Sequence, residues 1–171
     1  MRIRESQTLD EILQIIERSE YLMGYINRGF IFAKSNLDSS YLKYKQIHFA
    51  NLKNNFVLIP LTDDLYDEIN DNKGKHEHGF HFLTDKLIDF GIEISKREKS
   101  KVAYVEADYF GGTGSQQAVV WIDDNEILRT SNDRAINQAL SLLGIQRDRD
   151  KDEFETIELN KYRTVEDWID S

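Results

Sequence analysis

Glu106 and Asp108 stand two residues apart in Val102–Tyr109, a run that reads as a strand. Alternation along a strand puts these two carboxylates on one face with Tyr104, opposite Ala103, Val105, Ala107 and Tyr109, about 7 Å from each other. A pair so placed can bind a cation or polarise water. The more ordinary use of such a pair is solvation or salt bridging to a partner.

Immediately downstream, Tyr109-Phe110-Gly111-Gly112-Thr113-Gly114-Ser115-Gln116 holds three glycines in four positions. Glycine frees the backbone for positive φ and close approach, which phosphate-binding loops exploit. A phosphate loop requires Gly-Lys-Ser/Thr opening a helix, whereas Gly114 leads into Ser115, Gln116 and a hydrophobic strand. The dinucleotide fingerprint fails for the same reason. A hairpin whose turn or bulge needs glycine is the simpler account.

His76, His78 and His81 fall within six residues, a concentration that raises zinc or nickel binding. No single regular structure presents all three together: 76 and 78 share a side of an extended chain, and 78 and 81 share a helical face. The His-Glu-x-x-His pattern is broken by Phe80. Asp63, Asp64, Asp67, Glu68 and Asp71 lack an EF-hand frame, because taking Gly74 as the sixth position puts Ile69 first. No Gly-x-Ser-x-Gly elbow exists.

These groups must be carried by regular elements. Thr8 and Glu11 have capping-box form ahead of Leu9, Ile12, Leu13 and Ile16, predicting a helix over 9–19. Residues 21–34 suit short strands, and 41–49 alternate as a half-exposed strand. Phe56–Leu61 is an apolar run in which Pro60 favours a strand end or sheet edge. A short helix is expected over 63–70, a loop over 70–79, and an amphipathic helix over 80–97. Residues 101–109 and 116–122 read as strands, with another near 126–129. A helical stripe over 133–143 stops at Gly144, suited to the left-handed position after a helix. The segment 146–155 is a mixed-charge run, and Thr164 precedes a capped turn or short helix around Trp168.

The composition bounds what this frame can be. The chain has 171 residues, 22 Lys plus Arg against 31 Asp plus Glu, a net charge of −9, one proline and no cysteine. Nineteen aromatic residues supply a core, and the length suits one domain, 1–171. Lack of cysteine excludes disulfides, thiolate metal ligands and thiol nucleophiles. The acidic balance argues against general nucleic-acid binding, which draws on Lys and Arg. No secretory signal or membrane-spanning run is visible, so a soluble, cytoplasmic protein without membrane partners is expected.

The stretch Lys101–Trp121 with its Tyr-Phe-Gly-Gly-x-Gly-x-Gln motif, the Ala135-Ile-Asn-Gln-Ala-Leu helix, and the tail from Asp152 through Tyr162-Arg163 to Trp168 resemble a group of small bacterial proteins. That resemblance spans roughly 80–171 and implies an association with immunity proteins of toxin systems.

The expected fold is therefore α+β: a mainly antiparallel sheet from segments near 25–61 and 101–130, with helices 9–19, 80–97 and 133–143 packed on one face. The expected function is non-enzymatic binding of a basic, toxin-like protein, with neither cofactor nor metal. Its contact surface would comprise Glu106, Asp108, Tyr109, Phe110, Gly111, Gly112, Gly114 and Gln116. Two alternatives compete. One is a metal-assisted hydrolase using Glu106, Asp108 and the His76–His81 cluster. The other is a small-ligand module lined by Tyr104, Tyr109 and Trp121.

Overall fold

The computed structural model describes residues 24–35 and 43–169. The expected helix over 9–19 lies outside them. Six strands, β1 (Tyr25–Ala33), β2 (Ala50–Asn51), β3 (Phe56–Pro60), β4 (Val102–Phe110), β5 (Thr113–Ile122) and β6 (Asn125–Ser131), form one sheet in the order β2-β3-β1-β4-β5-β6. All its strand pairings are antiparallel. The α-helices among the described residues are α1 (Asp63–Asn70), α2 (Asp85–Glu98), α3 (Ala135–Leu142) and the single turn α4 (Glu153–Thr156), and a short 3-10 turn over Glu166–Trp168 is the one expected around Trp168.

The α+β class and the antiparallel sheet are those expected, but the helices divide between the two faces of the sheet. On one face, Phe30, Phe32, Ile59, Tyr104, Val119 and Trp121 pack under Leu65 of α1 and Leu87, Phe90 and Ile94 of α2. On the other, Ile31, Leu58, Ala103, Val105, Ala118 and Val120 meet Ala135, Ile136, Ala139 and Leu140 of α3, with Ile157 and Trp168 closing the layer. The physical reason is visible in the strands: Phe30-Ile-Phe32, Phe56-Val-Leu-Ile59 and Ala118-Val-Val-Trp121 are apolar without alternation, the mark of strands covered on both sides.

Local signals fix the ends of the helices. Thr62 and Thr84 cap α1 and α2, their hydroxyls accepting from Leu65 N and Leu87 N. The cap at Thr84 explains why α2 starts at Asp85 rather than at residue 80: the backbone of 80–83 is diverted into a loop, with Glu77 N bonding to Leu83 O. Helix α3 ends in a Schellman motif, with Gly144 at φ 93°, Gly144 N bonded to Ser141 O and Ile145 N bonded to Leu140 O.

The expected strand over 41–49 is replaced, within the described residues, by irregular chain. The Glu68 carboxylate accepts from Lys45 N and Gln46 N at 2.8 and 2.9 Å, taking up amides that a strand would have used in a ladder. Tyr44, Ile47 and Phe49 pack against the α1–α2 core instead. Pro60 stands at the end of β3, opposite Gly29 of β1.

Gly29 marks a close approach between β1 and β3. A Cβ there would lie 2.3 Å from the Ile59 carbonyl oxygen and 2.9 Å from Leu58. Because the first obstacle is backbone, a side chain cannot be relieved by a rotamer change. Gly29→Ala is expected to destabilise the fold by about 1–3 kcal/mol, the usual cost of overpacking, seen as a lower urea midpoint with little change in slope.

Candidate functional site

Strand β4 lies between β1 and β5, so each residue along it has a neighbour on either side. Arg28, Glu106 and Gln117 sit abreast on the α1–α2 face, where the helices stop and the loop preceding α2 folds back over the sheet. Glu106 is 3% exposed. Its Oε1 accepts from His81 N at 2.6 Å, and its Oε2 accepts from Phe82 N at 3.1 Å and from the Tyr104 hydroxyl at 2.6 Å. The carboxylate is thereby occupied with holding the loop to the sheet.

Arg28, also buried, completes the anchor. Its Nε donates to Leu61 O at 2.8 Å, it pairs with the exposed Asp63, and its guanidinium lies 3.9 Å from the Phe82 ring centre. Tyr66 meets the same ring edge-on at 6.1 Å. Asp63, at the start of α1, is therefore in part an ion-pair partner for the sheet and not a free acid.

The glycine motif is a two-residue hairpin. Phe110 pairs with Thr113, and Gly111 and Gly112 between them have φ of 58° and 77°, the two positive values of a type I′ turn. Gly114 answers a different need: a Cβ would lie 2.1 Å from Asp108 O and 2.7 Å from the Tyr109 ring, which occupies the space. The turn thus has its glycines for backbone reasons, as the hairpin account expects.

Alternation splits the expected contact residues between two faces. Asp108 and Phe110 project on the same face as Glu106, and both are exposed, Phe110 by 71%. Tyr109 and Gln116 lie on the α3 face. There the Gln116 amide donates to the Tyr109 hydroxyl at 3.1 Å and to Asp133 O at 2.9 Å, and its carbonyl accepts from Ile136 N at 2.9 Å. Gln116 is thus a cap for α3 supplied from a strand, a role invisible to local spacing because the two are 20 residues apart. Of the two acids, Asp108 faces solvent and Glu106 does not.

The histidines separate. His81 brings its backbone to Glu106, while its ring Nε2 lies 3.3 Å from Ser115 Oγ. His76 takes part in a bridge with Thr84. Among the described residues no group of three His, Asp or Glu side chains converges to hold a metal ion. Nor do Tyr104, Tyr109 and Trp121 line one pocket: Tyr104 and Trp121 are fully buried under α2, and Tyr109 is on the opposite face. No helix among the described residues is long and apolar enough to cross a membrane.

Burial holds the Tyr104 phenol well above its ordinary pKa of 10.0, and the adjacent Glu106 carboxylate pushes the same way. Burial also raises Tyr25. In the fold both keep protons that the unfolded chain releases near pH 10, so their contribution is complete below that pH and is lost as pH rises above it. The stability of the native protein is expected to fall in alkali, and Tyr104→Phe and Tyr25→Phe each to flatten that fall, measured as urea midpoints from pH 8 to 11. Glu106→Gln is expected to cost about 1–3 kcal/mol, and to speed hydrogen exchange at His81 N and Phe82 N more than elsewhere. No family model matches the sequence, and no curated protein or solved structure matches it.

Proposed function

We propose that the protein is a non-enzymatic binding protein of immunity or inhibitor type, which recognises a basic protein through the β4–β5 hairpin end. The observation that carries this reading is the pairing of Phe110, 71% exposed at a tight turn, with the exposed Asp108 on the same face of the strand. Ile26, opposite Asp108 on β1, adds a second apolar side chain at 44% exposure.

An aromatic anchor on a rigid support, beside unburied negative charge, is what an interface with a cationic partner requires. Gly111 and Gly112 set the turn that presents Phe110. Glu106, Tyr109, Gln116 and Gly114 act behind it as supports, since their polar atoms or space are already committed. The net charge of −9 favours encounter with a basic surface and discourages one with nucleic acid.

The test is capture from the native cell with the tagged chain, followed by reconstitution with the purified partner. A single basic protein is expected, its own activity suppressed on binding. Phe110→Ser is expected to weaken the complex by roughly tenfold or more, and Asp108→Lys to slow association with a loss of salt dependence. Recovery of the same partner at unchanged affinity by both variants would remove the hairpin end from the interface.

A further inference from the structure

On the α3 face, a cleft of about 280 Å³ opens between the sheet end and the α3–α4 pair. Three aromatic rings from three elements contribute to it: Tyr25 of β1, Tyr109 of β4 and Phe154 of α4. Tyr25 and Phe154 meet edge-to-face at 5.6 Å and 71°, which fixes both rings. The acids Asp133 and Asp152 also line it, and neither lysine nor arginine is among the lining residues.

The polar groups of the cleft are largely spent on holding it together. Both ends of the Gln116 amide are bonded, to Tyr109, Asp133 O and Ile136 N. The Asn137 amide is likewise bonded at both ends, to Asp152 Oδ2 and from Phe154 N, each at 2.9 Å. Tyr25 gives its hydroxyl hydrogen to Leu159 O. Asp152 accepts from Glu155 N as the cap of α4. What the cleft can still offer a ligand is therefore aromatic surface, carboxylate oxygen and the neutral donor of the Tyr109 hydroxyl, which accepts from Gln116, with Asp133 an exposed acid among its lining residues.

Carboxylates and π faces with no cationic group beside them complement a cation that carries an apolar stem. A planar guanidinium fits better than an ammonium, because it stacks on a ring while donating in its plane to a carboxylate. We infer that this cleft binds an alkyl guanidinium, the chemistry of an arginine side chain, borne either by a free small molecule or by a polypeptide. The site shares Tyr109 and Gln116 with the β4–β5 hairpin but lies on the face opposite to Asp108 and Phe110, and it does not rest on the proposed partner.

The test is a titration of the whole ¹⁵N-labelled protein, followed by amide shifts, with agmatine, with the acetylated tripeptide amide Gly-Arg-Gly, and with its citrulline and lysine counterparts. Saturable shifts at Tyr109, Ile136 and Phe154 are expected with a guanidinium probe, and none with the citrulline peptide. Agmatine alone identifies a free ligand as the source, and the arginine peptide alone a polypeptide. Asp133→Asn, at an exposed position, is expected to keep the native melting temperature and weaken binding about two- to fivefold. Shifts of equal size with the citrulline or lysine peptide, no shifts with either guanidinium probe, or unchanged affinity in Asp133→Asn would overturn the assignment.

Discussion

The structure turns on one carboxylate. Glu106 comes from the centre of the sheet, is almost wholly removed from solvent, and receives two backbone amides and a phenol. A charge so placed is tolerable only because donors surround it, and the two amides among them belong to the segment that must cross from α1 to α2. The same contact stops the α2 helix from starting earlier, seats Phe82 between Arg28 and Tyr66, and closes the open end of one core layer. An acid that looks available in the sequence is thereby internal, and its neighbour Asp108 is left to meet solvent.

The two-sided sheet follows from a similar economy. Bulky rings fill the layer beneath α1 and α2, whereas Ala103, Ala107 and Ala118 leave a shallow surface that α3 approaches with Ala135 and Ala139. Small residues on both partners allow close contact, and the cost is a short helix with few large side chains to bury. Gln116 offsets this by capping α3 from the neighbouring strand, so the hairpin and the helix support one another.

Much of this frame was legible in the chain. The hairpin was written in Gly111 and Gly112, the end of α3 in Gly144, helix α1 in Asp63–Asn70, and the antiparallel strands in their apolar runs. The distribution of helices was also written there, in runs without alternation, but a count of helical stripes does not say which face each covers. The alternating stretch over 41–49 misled because Glu68, about twenty residues away, captures its amides. The start of α2 was missed because periodicity from Phe80 onward continues across a capping threonine. For the site, alternation correctly separated Tyr109 from Asp108. Burial of Glu106 was not readable, since nothing local to Val102–Tyr109 reveals that the loop at 81–82 will cover it.

The position of β1 carries its own consequence. Its flanks are occupied by β3, by β4 and, at Ile26, by a parallel bridge to Thr164 with a bond to Arg163 O. A ribosome making this chain releases Tyr25–Ala33 shortly before β3 and long before β4 or the segment near Thr164. One flank of this strand can pair once Phe56–Pro60 has emerged, whereas the other must wait until residues beyond 100 have emerged, and its lower end until those near 164 have done so. Synthesis from one end to the other closes a sheet whose middle was made first.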